Sequence, residues 1–242
     1  MVALVIADIH ANLDALQAVL RDSAGEYSEV WCLGDIVGYG PEPSETLAMV
    51  KSLEPIAVAG NHDRAVTGQA DLEIFSAGAR DAVERHRPLL NGEYKRWLDE
   101  LPEVLERHSV TLCHGSLVDP VWDYILTPLD AARTMDQAAT SIVISGHTHF
   151  PVIWGRSTGA SVEQVPWAPG KEVDLNGMTV VLNPGSVGQS RNGSAAAHYA
   201  LLDTQRRSVT MRRVSYPVRR TMKKLQKLGY PEESVVRYRL GR

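Results

Sequence analysis

The sequence has few cysteines, no long apolar run and no internal repeat, and each absence excludes a class of protein. Two cysteines, Cys32 and Cys113, are too few for a disulfide framework, so we expect both to be small buried hydrophobic residues. No apolar stretch approaches the ~20 residues of a membrane-spanning helix. The first ten residues, MVALVIADIH, lack a basic leader and reach an acid at Asp8, which argues against a signal peptide. We therefore expect a soluble, cytoplasmic protein with no membrane partner.

What is present is the composition of an ordinary globular chain. Of 242 residues, 44% are apolar and 22% are charged, which argues against disorder and allows a substantial core. No low-complexity stretch or clear linker divides the chain. We predict a single domain over residues 1–242.

The net charge of −4 conceals an uneven distribution. From Arg206 onward the chain carries 12 Lys and Arg against 2 Asp and Glu, whereas the preceding residues carry 13 and 27. A basic segment of this kind could attract nucleic acid. Because no aromatic residues are interleaved with the charges, we favour a solvated edge strand and an amphipathic helix instead. Salt-dependent binding to DNA or RNA would distinguish the two interpretations.

The first sixty residues alternate between strand and helix patterns. ALVIAD, EVWCLGD and PIAVAGN are short β-rich runs that end in Asp8, Asp35 and Asn61. The intervening segments NLDALQAVLRDS and PEPSETLAMVKSL carry apolar residues at helical spacing. This order predicts parallel strands with right-handed crossovers, and ligands bind such sheets beyond the carboxyl ends of the strands.

The rest of the chain shows a helical pattern first and a pattern of strands and turns later. Residues 64–101 have a helical pattern, two strands follow, and a helix from Leu129 to Ala138 leads to the strand SIVIS. The later segments consist of strands and turns, from which we predict a second, mainly antiparallel sheet, and a last helix between Pro217 and Gly229. Two packed sheets with outer helices fit this pattern.

Five short polar motifs end strands or open loops. They are DIH at 8–10, GD at 34–35, GNHD at 60–63, HG at 114–115 and GHTH at 146–149. Five of the eight histidines belong to these motifs. A single histidine at a strand end is usually a structural residue, but five beside two aspartates and an asparagine are hard to explain in that way. Imidazole and carboxylate together favour a divalent transition metal, and the lack of a cysteine cluster argues against a structural zinc finger.

In this order, DIH, GDIVGYGP, GNHD, HG and GHTH resemble the five signature motifs of the calcineurin-like metallophosphoesterases. The resemblance extends from Asp8 to NPGSVGQ at 183–189 and is to the small bacterial phosphodiesterase-like members. It implies an α/β fold of two packed mixed β-sheets flanked by helices, an αββα sandwich. One departure is Ala11, where relatives commonly have glycine, and we expect only a more crowded loop there.

The resemblance also implies two divalent metal ions, held by two ligand groups that share Asp35. One group would be Asp8, His10 and His149, and the other would be Asn61, His114 and His147. We expect Mn²⁺, although the same ligand types accept Fe, Zn, Ni, Co or Mg.

Catalytic residues follow from the same resemblance. A metal-bridging hydroxide would attack the phosphoester, His62 would act at the leaving group, and Asp63 would orient His62. Arg191 and Tyr124 are weaker candidates for contacts with the substrate, because a solvated arginine and a packed aromatic ring are the ordinary alternatives.

Other polar residues receive lesser roles. Asn183 and Ser186 are expected to support the ligands, and His86, His108 and His198 receive no role.

The implied activity is hydrolysis of phosphoester bonds. We expect a phosphodiesterase that acts on small nucleotide-like substrates. The alternative is a phosphomonoesterase, such as a protein phosphatase or a dinucleotide polyphosphatase. A catalytically silent scaffold of the same fold is disfavoured, because His62, Asp63 and all seven candidate ligands are present. Assembly into a homo-oligomer stays open.

Overall fold

The computed structural model describes residues 1–241, in which twelve strands form two six-stranded sheets. In spatial order, the first sheet consists of β3 Ile56–Ala57, β2 Glu29–Cys32, β1 Val2–Ile6, β11 Ala197–Asp203, β12 Ser208–Val214 and β9 Glu172–Asp174. The second consists of β4 Val104–Arg107, β5 Val110–Cys113, β6 Ile142–Ile144, β10 Met178–Asn183, β7 Val152–Ser157 and β8 Glu163–Val165. Both sheets mix parallel and antiparallel pairs, as predicted.

Eight α-helices accompany these sheets in the described residues. They are α1 Leu13–Asp22, α2 Pro43–Ser52, α3 Asn61–Thr67, α4 Ala77–His86, α5 Gly92–Asp99, α6 Pro128–Gln137, α7 Val218–Lys227 and α8 Glu232–Leu240. The alternation of side chains along β1 explains how the layers form. Ala3 and Val5 belong to the core between the sheets, whereas Leu4 and Ile6 pack with Leu16 of α1.

The prediction that the later strands form a sheet of their own is wrong. Strands β11, β12 and β9 extend the first sheet from β1, whereas β10, β7 and β8 extend the second sheet from β6. Strand β12 lies between β11 and β9 and is therefore not the edge strand that the basic sequence suggested. The alternating pattern of a strand specifies its buried face but not its neighbour in the sheet, so either placement satisfies the same sequence.

The helical segment at 64–101 is three helices, interrupted by the left-handed Gly68 and by a short 3-10 turn at Leu72–Ile74. The predicted tail helix is present as α7, and a further helix, α8, follows it. None of the helices in residues 1–241 has the length and apolar character needed to span a membrane. Cys32 and Cys113 are buried and free.

Ion pairs explain part of the uneven charge distribution. Lys224 of α7 contacts Asp14 at 2.8 Å and Glu42 at 2.6 Å, and Arg212 of β12 contacts Glu26 at 2.8 Å. Basic side chains of the tail thus face acidic side chains of the first forty-two residues. These pairs hold the tail against α1 and the loop that precedes α2.

Candidate metal centre

The five polar motifs lie at the carboxyl ends of parallel strands. Asp8, Asp35 and Asn61 follow β1, β2 and β3, which run parallel in the first sheet. His114 follows β5 and the pair His147 and His149 follows β6, and these two strands run parallel in the second sheet. The two packed sheets therefore present their motifs at one shared edge.

Several of these residues have an unusual backbone conformation. Asp8, His10, Asp35, His147 and His149 have φ angles between 47° and 67°, in the left-handed region that non-glycine residues avoid. Strain of this kind costs about 1–3 kcal/mol per residue and persists only where the surrounding structure enforces it. Backbone hydrogen bonds do so here: His10 N–H donates to Asp35 O at 2.9 Å, and Asp8 N–H donates to Gly34 O at 3.2 Å.

The structure brings the seven predicted ligands together. They are between 0% and 6% exposed. Ligand atoms of Asp8, His10, Asp35 and His149 lie within 4.8 Å of one another, and so do those of Asp35, His114 and His147. Asn61 joins the second set, with its Oδ1 3.2 Å from His114 Nε2. Asp35 belongs to both sets, as a bridging ligand would.

The imidazole tautomers show that the first set fits a cation. His10 Nδ1 lies 2.9 Å from Val37 O, and His149 Nδ1 lies 2.5 Å from Gln189 O. A nitrogen that faces a carbonyl oxygen must carry the proton, so both Nε2 atoms bear lone pairs. These two Nε2 atoms are 3.1 Å apart. Two lone pairs at that distance repel unless a cation lies beside both.

The second set repeats this arrangement. His114 Nδ1 faces Leu33 O at 2.7 Å, and His147 Nε2 faces Trp122 O at 3.1 Å. The remaining nitrogens, His114 Nε2 and His147 Nδ1, are 3.0 Å apart. Burial lowers the pKa of His10, His147 and His149 well below the usual range, which disfavours a proton shared within either pair.

The carboxylates complete the fit. Asp35 Oδ2 lies 3.6 Å from His10 Nε2 and 3.5 Å from His114 Nε2, between the two sets. Asp8 Oδ2 is buried without a hydrogen-bond partner among residues 1–241. Burial raises the pKa of Asp8 to about 7 and that of Asp35 well above its usual range. Both groups therefore lack compensating positive charge, which divalent cations would supply.

His62 lies beside the two sets. Its ring centroid is 5.0 Å from that of His10, 4.7 Å from that of Tyr39 and 5.3 Å from that of Phe75. Nδ1 is buried against Gly38 and has no hydrogen-bond partner in the described chain. Since His62 also lines the adjoining cavity, Nε2 is the nitrogen that a substrate can reach.

Asp63 contacts backbone amides rather than the His62 ring. Its carboxylate accepts hydrogen bonds from the backbone amides of Ile36 at 3.0 Å, Val37 at 3.3 Å and Gly60 at 3.1 Å. Within residues 1–241 it makes no hydrogen bond to the His62 ring. Asp63 thus fixes the loop after β2 and the start of α3. The orienting role towards His62, which stays a prediction, would act through this backbone.

A cavity of about 640 Å³ opens beside the ligands. Both predicted substrate residues line it, and the Tyr124 ring stacks on His147 with 3.9 Å between centroids. Tyr39, Phe75 and Trp122 extend the aromatic lining, and Arg237 of α8 adds a second arginine to Arg191. Phe75, Trp122 and Arg237 stand outside the motifs, and Tyr39 lies within GDIVGYGP, yet none of the four was a candidate from the sequence.

His86, which received no role from the sequence, supports the loop that carries Tyr39. Its Nδ1 accepts from Gly38 N–H at 3.1 Å, and its Nε2 donates to Gly40 O at 2.9 Å. A buried histidine on the inner face of α4 satisfies two backbone groups that would otherwise lack partners.

Asn183 and Ser186 support the ligand loops, as expected. The Asn183 side-chain amide donates to Thr148 Oγ1 at 3.1 Å and to the carbonyl oxygen of Gly146. Ser186 Oγ donates to the carbonyl oxygen of Asp8 at 2.8 Å. Both contacts hold the backbone of motifs that contain predicted ligands.

Comparison with known proteins agrees with this geometry. Residues 1–207 match the calcineurin-like phosphoesterase superfamily domain. A metallophosphoesterase from Sphaerobacter thermophilus, known from a crystal structure, has a TM-score of 0.90 and 36% identity, over 100% of this chain and 99% of that chain. The uncharacterized protein MJ0912 of Methanocaldococcus jannaschii is 31% identical over 98% of this chain and 97% of its own length.

A third relative has a named activity. The symmetrical bis(5'-nucleosyl)-tetraphosphatase of Vibrio campbellii is 30% identical over 155 residues, which span 60% of this chain and 53% of that protein. The match over residues 1–207, the likeness to a metallophosphoesterase along the whole chain and the clustered His and Asp side chains agree with one another. The chain belongs to the calcineurin-like phosphoesterase superfamily and is a metal-dependent phosphoesterase.

Proposed function

We propose that the protein hydrolyses phosphodiester bonds in small, nucleotide-like molecules with the help of two divalent cations, of which Mn²⁺ is the expected one. The observation that carries the proposal is that two imidazole nitrogens face each other on each side of Asp35. The two nitrogens on one side direct their lone pairs to one point, and the Asp35 carboxylate lies between the two points. Two adjacent cations therefore account for the donor set better than one.

In this proposal each ion has its own ligands besides the shared Asp35. Asp8, His10 and His149 hold one, and Asn61, His114 and His147 hold the other. When bound, such a pair supplies positive charge to phosphoryl oxygens and lowers the pKa of water towards neutrality. Backbone carbonyls fix each imidazole in the tautomer that binds a metal, so little reorganisation is needed.

The remaining roles belong to the cavity wall. His62 Nε2 faces the cavity and would donate a proton or hydrogen bond to the leaving-group oxygen. Asp63 would maintain the position of His62 through the backbone of α3. Arg191 and Tyr124 would contact the phosphate. The two side chains are neighbours, because burial raises the pKa of Tyr124 and the Arg191 guanidinium opposes that rise.

A second candidate is cleavage of dinucleoside polyphosphates. The similarity to the Vibrio campbellii tetraphosphatase favours it, and so do the two arginines in a cavity that also holds aromatic side chains. It requires the same ions and the same His62, but the scissile bond is a phosphoanhydride and the leaving group is a phosphate oxygen.

The proposal is tested by metal analysis and by turnover of bis(4-nitrophenyl) phosphate, with 4-nitrophenyl phosphate as the monoester comparison. Mn²⁺, Ni²⁺, Co²⁺ and Zn²⁺ are supplied in turn. We expect up to two bound ions per chain and faster turnover of the diester. Absence of bound metal together with no activation by Mn²⁺ would contradict the proposal.

The His62→Asn variant tests the catalytic role of the histidine. We expect turnover of the diester to fall by about 10²–10⁴ while the bound metal is retained, since a positioned acid contributes that much. His108→Asn is the matched control, because His108 is 39% exposed and contacts Glu29 away from the cavity. Unchanged turnover in His62→Asn would exclude the role.

A further inference from the structure

Helix α8 contributes one side chain, Arg237, to the wall of the cavity. This helix follows the residues that match the superfamily domain, and its Arg237 lines the same cavity as His62 and Arg191. Neither arginine has a carboxylate within 4.0 Å among residues 1–241. Asp35 supplies the one carboxylate of the described lining, and it belongs to the ligand set. The cavity is therefore lined by two arginines without an acidic partner in the described chain, the half-buried Arg191 and the exposed Arg237.

The two arginines enter the cavity from different elements. Arg191 follows a segment that contacts the ligand loops, since Gly188 N–H donates to Asp8 O at 2.9 Å and His149 Nδ1 donates to Gln189 O at 2.5 Å. Arg237 enters from α8, which contributes no candidate ligand. Arg191 is thus placed for a phosphate at the ligand sets, and Arg237 for a group farther along the substrate.

Packing holds α8 in place against the rest of the molecule. Val235 and Tyr238, on either side of Arg237 in the sequence, are 1% and 3% exposed. In the segment before α8, the Tyr230 hydroxyl donates to Gly40 O at 3.3 Å, and Arg85 donates to Gly229 O at 3.2 Å. Arg237 therefore projects from a fixed helix.

The end of α8 also contacts the loop that carries Arg191. Gly193 N–H donates to Gly241 O at 2.9 Å. Gly241 has a φ of 61°, and a Cβ atom there would lie 2.5 Å from Ser194 N. The absence of a side chain at Gly241 thus permits a contact between the end of α8 and the loop after Arg191. This contact fixes the position of the helix that carries Arg237 relative to that loop.

We propose that Arg237 binds a second phosphate of the substrate, beyond the scissile phosphate that faces Arg191, and so selects nucleotides with two phosphate groups. The inference rests on the proposed function and names its substrate class. Tyr39, Phe75 and Trp122 provide planar apolar surface in the same cavity, which suits a nucleoside. A planar guanidinium without an acidic partner suits phosphate, because it can donate two parallel hydrogen bonds.

Binding to the Mn²⁺-loaded protein tests this selection without requiring turnover. Thymidine 3′,5′-bisphosphate and thymidine 5′-phosphate differ by one phosphate, and calorimetry gives the Kd of each. We expect the wild-type protein to prefer the bisphosphate. Arg237→Gln should weaken bisphosphate binding roughly tenfold more than monophosphate binding, the scale of one charge-assisted contact. Arg237→Lys keeps the charge but loses the planar guanidinium. Its preference for the bisphosphate should therefore lie between that of the wild-type protein and that of Arg237→Gln.

Arg239→Gln is the matched control, since Arg239 is an exposed arginine on the same helix outside the described cavity lining. Equal weakening of both ligands by Arg237→Gln, an equal effect of Arg239→Gln, or no preference in the wild-type protein would overturn the inference.

Parallel turnover of the 4-nitrophenyl 5′-esters of the same two nucleotides separates the two proposals. If neither ester is hydrolysed but the binding preference depends on Arg237, the proposed function fails and the inference stands. If both are hydrolysed and the preference does not depend on Arg237, the inference fails alone.

Discussion

The two ligand groups around Asp35 are built differently. The inner group, Asp8, His10 and His149, is 0% to 1% exposed. In the outer group, Asn61, His114 and His147, two members are slightly exposed, Asn61 at 6% and His147 at 5%. Both line the cavity, as His149 of the inner group does. The inner ion would therefore be the more enclosed of the two, since Asp8 and His10 lie outside the cavity lining.

The backbone shows the same contrast. All three inner residues have positive φ angles, whereas His147 is the one outer residue that does. Asn61 begins α3 and His114 directly follows β5, so regular elements place them. The inner site thus depends on strained loops that their neighbours enforce, and the outer site on the ends of ordinary elements. We expect the outer ion to exchange more readily.

The largest expected effect comes from Asp35→Asn, which removes the charge that the two groups share. Both ions should bind more weakly, and turnover of a phosphodiester should fall by about 10³ or more, because several kcal/mol of charge stabilisation are lost. Metal analysis and steady-state kinetics measure the two effects. Asp136→Asn is the control, since Asp136 pairs with Arg156 on the surface. Loss of only one ion would show that Asp35 does not bridge.

A smaller effect should follow from removing one ligand of each group. His149→Ala and His147→Ala should each bind about one ion less, and turnover should fall by about 10² or more in each, because even the loss of a group that only supports a ligand costs about 10–100-fold. Excess Mn²⁺ should restore His147→Ala more fully, because two ligands of its site are more exposed than any ligand of the inner group. If both ions were lost equally in each variant, the division into inner and outer groups would be wrong.

The smallest effect should come from Gly188→Ala, which acts on the inner group alone. A Cβ atom there would clash with the Ile9 carbonyl oxygen, between Asp8 and His10. We expect about 1–3 kcal/mol lower stability from overpacking and a few-fold slower turnover. Thermal unfolding and kinetics test this. Gly92→Ala, whose new methyl would meet only the end of Arg96 at 3.7 Å, should change neither.

The ligand positions were predictable because they follow strands that the local pattern already identifies. Asp8, Asp35 and Asn61 end three consecutive apolar runs, and parallel strands bring such ends to one edge. Their roles as metal ligands stay predictions, as does the single domain over residues 1–242. What failed was pairing between distant segments, since β11 and β12 could have joined either sheet on their own patterns.

The rest of the cavity was not predictable for a related reason. Arg237 reaches the site only because α8 packs on residues far away in the sequence, such as Ala82 and Tyr39. His86 was dismissed because a lone histidine in a helix carries no local signal, and its partners, Gly38 and Gly40, are backbone groups. Asp63 was predicted to orient His62, but the backbone amides that donate to its carboxylate belong to the end of another strand, which no local pattern indicates.

The pairing of β1 with β11 has a consequence for how the protein is made. Leu4 lies opposite Leu201, so the middle of the first sheet joins strands that leave the ribosome far apart in time. Until β11 emerges, β1 can pair on one side only, with β2, and its other edge stays open to unwanted association. Contacts of such long sequence separation also slow folding. We therefore expect the ligand edge to assemble late in synthesis or afterwards, so that metal is acquired by a nearly complete chain.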